Sequence, residues 1–498
     1  MPKEKKRITV DKDKIKMAVT SGIPLSITTY TLPHEMEVYM EDVLTTFLAE
    51  LNQTHMTEYL TYCLNELITN AKKANTKRVY FKQKKLDIND PADYELGMKS
   101  CKEDTLNDIN YYLELQKKAG LYVKLVLQMR NNKVKIEVRN NSELTVFEYK
   151  RIHDKLSRSQ QYTSIEQAMT DALDYSEGAG LGLVIMILML EKIGLTEENF
   201  QTLCENGETI TRLILPLSEE TQKGLDFISE EFVKTIDALP QFPENITTIN
   251  RLLNDPDSKF SDIAMHISSD VALTGELLKM VNSAAFALAS PCRNIKDAVS
   301  LVGLHGIKNL LFSIGAMQVF DEVANDKATL WENSQKVAFY SYNLARNFCA
   351  SDKNVVEDSY VCGLLHNMGT IIFETLHPDL LDKVRKVCED KGINKDLLEK
   401  LIAGVNHCEI GARIAEKWNF PEVIADTIRY QHDPEDAPLK VRKQVYLVNI
   451  AELLTYYQAG EIDFYQFDPE VLAMFTITTE EQLQKISNKL KASFENGK

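Results

Sequence analysis

Apolar residues in the second half of the chain recur every three to four positions, with polar residues between them. This spacing puts the apolar side chains on one face of a helix, and no run in this half resembles a strand. The runs with this period are 246–253, 260–268, 273–282, 295–302, 307–319, 331–349 and 358–366. The pattern therefore predicts an all-α second half.

The first half mixes helical and strand patterns. Residues 35–60 predict helix, and a further helix carries Leu64, Leu67, Ile68 and Ala71 on one face and ends at Asn75. The polar residues 82–118 predict an insertion with its own helix. Short apolar runs predict strands at 78–81, 122–129, 134–138 and 209–216, and the loop 130–133 joins the middle two as a hairpin. We therefore expect a multidomain chain, α+β and then all-α.

Two prolines mark the boundary between the halves. Pro240 and Pro243 interrupt helix after a polar, acidic stretch, because proline lacks the amide hydrogen that a helix interior needs. The predicted domains are an extension at 1–34, an α/β sandwich at 35–218, a linker at 219–231, a helical bundle at 232–455 and a helical extension at 456–498. The last helix begins with a capping box at residues 478–482 and carries an apolar stripe. Such a stripe usually belongs to the core, and a homodimer contact is the alternative.

Composition and charge narrow the classes of function. The 498 residues include 44% hydrophobic and 26% charged residues, which is typical of a globular protein. A net charge of −16 argues against a nucleic-acid binder. The start is charged, and the most apolar run, 181–190, is too short to span a bilayer, so we expect a cytoplasmic protein that does not bind membranes. The eight cysteines form no CxxC pair, which argues against a zinc site and favours reduced core cysteines.

A glycine-rich turn opens an apolar helix near residue 180. Gly178, Gly180 and Gly182 would let backbone N–H groups approach a phosphate, although such turns also occur merely for close packing. The segment 66–71, a hairpin, this turn and a final strand follow in the order that resembles the ATPase domain of histidine kinases and their GHKL relatives. The match covers residues 35–218.

The GHKL resemblance implies a site for ATP and magnesium. Asn70 matches the residue that helps to hold Mg²⁺ on the triphosphate, and Glu66 matches a water-activating carboxylate of some members. The other expected nucleotide-binding residues are Lys73, Asn140, Leu181 and the three glycines Gly178, Gly180 and Gly182. This chain has Arg-Asn-Asn-Ser-Glu at 139–143, where the family has an Asp-x-Gly-x-Gly turn whose aspartate accepts the adenine amino group. We therefore expect a degenerate module.

The helical half contains several specific motifs: Leu239-Pro240-x-x-Pro243, the run 277–284, the Gly363–Gly369 segment and the run from His407 to His432. In these motifs it resembles the HDOD domain, the HD-related output domain of bacterial signalling proteins. HDOD domains are regulatory modules without demonstrated catalysis. The resemblance therefore implies signalling proteins as partners.

The metal positions of HD enzymes are degraded in this chain. A His–Asp step holds a divalent ion in those enzymes, but here the step is His366-Asn367, and Asn333 stands where the first histidine belongs. His366, His407 and His432 remain, and Gln431 occupies the first place of a frequent His–His pair. We expect no metal in this domain and hydrogen-bonded roles for the three rings.

These observations predict a bacterial cytoplasmic regulator in which a degenerate GHKL-type module is coupled to a non-catalytic HDOD domain. Two enzymatic alternatives remain open. One is an ATP-dependent kinase or ATPase that uses Glu66, Asn70 and the glycine loop, and the other is residual metal phosphohydrolase activity at His366.

Overall fold

The structure is a computed structural model that describes residues 8–159, 181–192, 195, 199–216, 230–255, 257–286, 288, 290–323, 328–376 and 395–496. The described residues divide into two compact units. The first contains the residues up to 216 together with 395–404, and the second contains the other residues from 230 onward. The first unit combines helices with a sheet, whereas the described part of the second is helical.

The described part of residues 8–216 forms helices and a five-stranded sheet. The helices are α1 (Lys12–Ser21), α2 (His34–Glu50), α3 (Thr57–Lys84), α4 (Pro91–Asn107), α5 (Ile109–Lys118), α6 (Val146–Ser159) and α7 (Leu181–Lys192). The strands are β1 (Leu25–Thr29), β2 (Val123–Arg130), β3 (Lys133–Asn140), β4 (Phe200–Glu205) and β5 (Glu208–Pro216). The predicted strands at 122–129, 134–138 and 209–216 are confirmed.

All neighbouring strands are antiparallel, in the order β1-β2-β3-β5-β4. Asn131 and Asn132 form the two-residue turn of the β2–β3 hairpin, both with positive φ. Asn206 and Gly207 form the corresponding turn between β4 and β5. Turns of this kind match the twist of the strands that they join, and asparagine and glycine adopt positive φ at low cost. The residues of both turns therefore suit the conformation that each hairpin needs.

One face of the sheet is apolar and the other is charged. Helices α1, α2 and α3 contact β2 or β3. The buried apolar residues alternate along three strands: Leu125, Leu127, Val134, Ile136, Val138, Leu213 and Leu215. On the opposite face the fully buried Glu137 carboxylate accepts hydrogen bonds from Arg139 and, at 2.6 Å, from Arg212. The first half is thus a small antiparallel sheet covered by helices on its apolar face.

The predicted strand at 78–81 is wrong. These residues belong to α3, which continues through Asn75 and ends at Lys84. Three consecutive apolar side chains are buried there because the next two helices, α4 and α5, cover α3 on a further side. The insertion at 82–118 therefore contains two helices. Because these helices bury the end of α3 on a further side, its sequence there is continuously apolar and resembles that of a strand.

The remaining helices follow in the second half of the sequence. They are α8 (Glu230–Ala238), α9 (Glu244–Asn254), α10 (Phe260–Ser269), α11 (Val271–Val281), α12 (Ile295–Val323), α13 (Ala328–Phe348), α14 (Lys353–Leu365), α15 (Met368–Leu376), α16 (Lys395–Ala403), α17 (His407–Lys417), α18 (Glu422–Tyr430), α19 (Arg442–Ala459), α20 (Pro469–Met474) and α21 (Glu480–Asn496). The predicted helical runs are confirmed. In α21, Leu483 and Leu490 are buried, and Phe494 packs against Phe339 within the same unit.

The helix α12 is bent at Gly303, whose φ of 74° and ψ of 168° are not helical. Among the described residues, only the segment Ile295–Phe320 of this helix is long and apolar enough to cross a membrane, and 56% of its most apolar window is buried inside the structure. A core helix of a folded domain passes the same test. The segment is therefore weak evidence for a membrane span.

The helix α16 belongs to the first unit, although helices of the second unit precede and follow it in sequence. The Lys400 ammonium lies 2.5 Å from the Glu58 carboxylate of α3, and both side chains are about one quarter exposed. The second half of the sequence thus contributes one helix to the first unit.

Candidate functional site

The candidate phosphate site in the first unit lies where α3 meets the start of α7. The Asn70 amide donates a hydrogen bond to the Glu66 carboxylate one turn earlier, at 3.0 Å. A Cβ built on Gly182 would lie only 2.3 Å from a Glu66 carboxylate oxygen, so this glycine lets α7 approach α3. The structure therefore brings together three residues that the sequence predicted for one site.

Tyr62 lies beside the same group. Its hydroxyl donates to the Gly182 carbonyl at 3.4 Å. Burial first, and the Glu66 carboxylate second, raise the pKa of this phenol. Tyr62 therefore stays protonated and is a hydrogen-bond donor at the start of α7.

The other predicted nucleotide-binding residues differ in their surroundings. Lys73 is exposed on α3, and Leu181 is the first residue of α7. Gly178 and Gly180 lie outside the described residues. Asn140 ends β3, where it is buried.

The Asn140 side chain takes part in a buried polar cluster. Its amide donates to the Ser142 hydroxyl at 2.5 Å and to the Asn75 side-chain oxygen at 3.3 Å. Asn75 in turn donates to the Tyr122 carbonyl, and Thr209 donates to the Ser142 carbonyl. The Asn140 side chain, which the sequence predicted for nucleotide binding, therefore joins α3 to the sheet.

The candidate metal region of the second unit is built around His366 and Asn367, which follow α14. Both are buried, and the His366 Nδ1–H donates to the Gly363 carbonyl at 2.7 Å. The Asn367 side-chain oxygen accepts a hydrogen bond from the Thr370 hydroxyl at 3.3 Å. The amide that replaces the HD aspartate thus has a partner within its own turn.

A buried carboxylate on α19 faces two of the predicted histidines. One oxygen of Glu452 lies 2.9 Å from the His432 Nε2, and the other lies 3.7 Å from the His366 Nε2. Burial by itself would raise the pKa of Glu452, but the imidazoles of His432 and His366 outweigh it and hold the pKa well below its ordinary value. Glu452 is therefore ionised at neutral pH and supplies a carboxylate that the sequence did not predict.

The third predicted histidine joins the group through a cysteine. His407 and Cys408 begin α17, and the Cys408 sulfur lies 3.6 Å from the His407 Nε2 and 3.5 Å from the His432 Nδ1. The Gln431 amide donates to the same sulfur at 3.1 Å and to the His366 carbonyl at 2.9 Å. Burial raises the pKa of the Cys408 thiol, but the two imidazoles lower it by more.

Asn333 is the predicted residue that the structure leaves apart from this group. It is half-buried on α13, and none of the described hydrogen bonds joins it to His366, His407 or His432. The structure therefore brings together three of the five residues predicted for the degraded HD site, with Asn367 beside them in sequence.

Sequence reasoning did not include Cys408 or Glu452 among the site residues. A signal for Glu452 was available, because it is the lone acidic residue in the apolar run 445–456. A charged residue at that place in a buried helix needs a partner of opposite charge or a hydrogen-bond donor. Cys408 carried no such signal, because single buried cysteines are common core residues.

Comparisons with known proteins found a family model and solved structures that are similar to parts of this chain. The HDOD domain family matches residues 239–434. An HDOD domain protein with unknown function from Geobacter sulfurreducens is 27% identical, with 56% of this chain and 96% of that chain covered and a TM-score of 0.43. A chain from Marinobacter aquaeolei VT8, named “Putative signal transduction protein”, is 20% identical, with 60% and 75% covered and a TM-score of 0.43.

A relative extends over nearly the whole chain. It is a protein of Treponema pallidum (strain Nichols), named “Uncharacterized protein”, and it is 42% identical over 489 residues, which are 98% of this chain and 95% of the relative. Both units are therefore shared with this relative. The chain belongs to the same family as the Treponema protein, and it contains an HDOD domain at residues 239–434.

Proposed function

We propose that this chain is a bacterial cytoplasmic signal-transduction regulator whose HDOD domain contacts other signalling proteins without catalysis. The observation that carries the proposal is the state of the HD step: Asn367 is an amide with a partner in its own turn, and Gln431 is tied to the His366 carbonyl. Dinuclear phosphodiester hydrolysis needs several anionic ligands that converge on two ions. We expect the partners of this chain to be proteins, and we do not expect it to bind nucleic acid or membranes.

The first unit is, in this proposal, a degenerate GHKL-type module that serves as the input. The contact of Glu66 with both Asn70 and Gly182 supports this assignment, because a phosphate site of that type needs these groups in one place. The hydrogen bonds of Asn140 to Asn75 and Ser142 support a degenerate module, because the side chain at the proposed adenine-binding position already bonds to other residues of the protein.

The helix α16 supports coupling between input and output. Its sequence lies inside the span that matches the HDOD family, but it packs in the first unit, where Lys400 pairs with Glu58. A ligand that changes the packing of α16 would act directly on a segment that is covalently continuous with HDOD helices. Such coupling requires that the ligand prefers one of two arrangements.

A calorimetric titration with ATP and Mg²⁺ tests the input. We expect binding by the intact protein, and loss of most of that binding in Asn70→Ala and in Gly182→Ala, whose new methyl group would displace the Glu66 carboxylate. Asn488→Ala, which changes an exposed asparagine of α21, is the matched control and should bind as the parent does. No heat at millimolar nucleotide would overturn the assignment of the input.

A phosphodiesterase assay tests the silent output. We expect bis(4-nitrophenyl) phosphate with added Mn²⁺ or Fe²⁺ to be hydrolysed at the buffer rate by the parent protein. Hydrolysis by the parent that His366→Ala abolishes would overturn the non-catalytic proposal and favour residual phosphohydrolase activity. The variant Asn367→Asp restores the carboxylate of the HD step. Its rate of hydrolysis in the same assay measures how much activity that carboxylate alone restores.

The arrangement of Glu66 and Asn70 also favours a second candidate function, an ATPase or kinase. A carboxylate that accepts a hydrogen bond from the magnesium-site amide is placed to orient water near a γ-phosphate. Release of inorganic phosphate from ATP that Glu66→Gln abolishes, with ATP binding retained, would establish this candidate. Binding without turnover would leave the input role alone.

A further inference from the structure

Three side chains in the second unit place nitrogen and sulfur atoms around one point. They are His407, Cys408 and His432, and one potential ligand atom from each lies within 4.8 Å of the other two. His407 and Cys408 begin α17, whereas His432 follows the end of α18. Two of the three residues are almost completely buried, and His432 keeps about one quarter of its side chain exposed.

The two distances from the sulfur to the ring nitrogens match those around a tetrahedral metal ion. A zinc ion with bonds of about 2.3 Å to sulfur and about 2.0 to 2.1 Å to nitrogen places those ligand atoms about 3.6 Å apart. The Cys408 sulfur lies 3.6 Å from the His407 Nε2 and 3.5 Å from the His432 Nδ1. A thiol has one hydrogen and can donate to only one of the two rings, so the other contact needs either a ring N–H that donates to the sulfur or a metal ion that binds both atoms.

The surrounding hydrogen bonds orient these atoms for an ion. Glu452 accepts the Nε2–H of His432, which leaves the Nδ1 lone pair directed at the sulfur. A carboxylate that holds the outer nitrogen of a ligand histidine is a recurrent outer shell of zinc sites. Gln431 donates to the Cys408 sulfur at 3.1 Å and so stabilises a thiolate. The Gln431 carbonyl accepts from Asn449, which fixes its backbone.

We propose that His407, Cys408 and His432 bind one Zn²⁺ ion, with water in the fourth position. Binding forms one Zn–S and two Zn–N bonds and releases the thiol proton to solvent, while His432 keeps its Nε2 proton. The ion joins the start of α17 to the end of α18 from the side on which His432 is exposed. Thiolate with two imidazoles selects a soft or borderline ion and disfavours Mg²⁺ and Ca²⁺.

This site shares His407 and His432 with the degraded HD site that the sequence considered, but its third ligand is Cys408. The HD site whose loss was inferred needs the positions of Asn333 and Asn367, and neither residue is part of the present ligand set. The absence of a CxxC pair also does not bear on it, because only one of the three ligands is a cysteine. The proposal departs from the expectation of a metal-free HDOD domain and is independent of the proposed signalling role.

Metal titrations of the untagged full chain test the proposal. The protein is first stripped with a chelator and dialysed, and Zn²⁺ or Mg²⁺ is then added and the unbound ion removed. We expect one retained zinc ion per chain by mass spectrometry of the metal, and no retained Mg²⁺. With Co²⁺ as a probe, a thiolate-to-cobalt charge-transfer band should appear in the near ultraviolet. Cys408→Ser should abolish the band and weaken Zn²⁺ binding more than about 100-fold, and Glu452→Gln should weaken binding about 10- to 100-fold.

Two controls match these variants. Cys204→Ser changes an exposed cysteine of the first unit, and His266→Gln changes an exposed histidine of α10, so both should bind Zn²⁺ as the parent does. If Cys408→Ser does not fold, the parent protein decides the question, because Zn²⁺ must raise its Tm and a chelator must reverse the rise. Fewer than one ion in ten chains, or a charge-transfer band that survives in Cys408→Ser, would overturn the proposal.

Discussion

The carboxylate of Glu148 is expected to be a principal stabilising group of the first unit. Glu148 lies in the first turn of α6 and forms a capping box with Thr145. The Thr145 N–H donates to the Glu148 carboxylate at 3.1 Å, and the Glu148 N–H donates to the Thr145 hydroxyl at 3.1 Å. The Arg78 guanidinium donates to both oxygens, at 3.1 and 2.7 Å, and the Lys77 ammonium lies at 3.2 Å. The side chain is buried, so water screens these interactions little.

The pKa of Glu148 gives the size of the effect. Burial alone would raise this pKa, but the Arg78 hydrogen bonds and the charges of Lys77 and Arg78 lower it from 4.5 to about 2. A difference of that size between the unfolded and folded chains corresponds to about 3 kcal/mol of stability at neutral pH. We therefore expect Glu148→Gln to lower the free energy of unfolding of the first unit by about 2 to 3 kcal/mol, because glutamine keeps part of the capping box.

The sign of the pH dependence follows from the lowered pKa. The carboxylate stabilises the fold fully above the unfolded pKa of about 4.5, and this contribution is lost as the pH falls toward 2. The difference between the parent and Glu148→Gln should therefore be constant from pH 6 to 8 and should shrink from pH 4.5 downward. Urea unfolding followed by far-ultraviolet circular dichroism measures both, and at pH 7 the midpoint should fall by about 1 M.

A surface glutamate provides the matched control. Glu95 lies 3.6 Å from Lys99 on α4, and both side chains are mostly exposed, so Glu95→Gln should change stability by less than about 0.5 kcal/mol. Both tryptophans, Trp331 and Trp418, are in the second unit, so their fluorescence follows that unit and circular dichroism follows both. A Glu148→Gln transition that coincides with that of Glu95→Gln would refute the reasoning.

Three further substitutions test the packing and the ion pairs inside each unit. Gly369→Ala places a Cβ 1.9 Å from the His407 carbonyl oxygen, so α15 and α17 must separate, and tryptophan fluorescence should report a loss of about 3 kcal/mol or more; a loss below 1 kcal/mol would contradict the close contact. At Gly275 on α11 an added Cβ meets nothing within 4 Å, so Gly275→Ala should raise the free energy of unfolding by up to about 1 kcal/mol; a lower free energy of unfolding in this variant would contradict the open position. Glu137→Ala leaves Arg139 and Arg212 without their shared carboxylate, and a loss of about 3 kcal/mol by circular dichroism is expected; an unchanged midpoint would show that the cluster is merely a solvated surface.

The local pattern of apolar residues was sufficient to predict the elements that can be recognised without knowing what they pack against. The helices of the second half could be predicted because each buries one stripe, and the stripe repeats within a few residues. The hairpin at 122–138 could be predicted because alternation and a two-residue turn are both local. The turn residues Asn131 and Asn132 then fixed the register.

Non-local packing decided the elements that sequence reasoning got wrong or missed. Residues 79–81 are consecutive and apolar, which resembles a strand in sequence, but they are helical and are buried because α4 and α5 cover a further side of α3. The strands β1 and β4 were not predicted. In β1 only Leu25 is buried, so the pattern is too weak to identify a strand whose position comes from pairing with β2. Likewise, nothing in the sequence of α16 assigns it to the first unit.

The candidate sites were predictable to different depths. Glu66, Asn70 and Gly182 were expected together, and they meet because α7 packs on α3. In the second unit the three histidines were expected to be separate hydrogen-bonded rings. Their connection depends on Glu452 and Cys408, which come from elements whose relative position only the fold determines.

The buried group around Glu452 also bears on why this core is polar at all. An ionised carboxylate enclosed in a helical bundle costs several kcal/mol of desolvation, and well-packed apolar residues of similar volume would often be at least as stable. The Glu452 carboxylate is placed between His432 and His366, on the opposite side of the His432 ring from the Cys408 sulfur. A purely structural ion pair needs only the contact between Glu452 and His432. An arrangement that fixes one ring nitrogen with a carboxylate and directs the other at a sulfur orients His432 as a ligand, and this is the strongest reason to measure metal content before any activity.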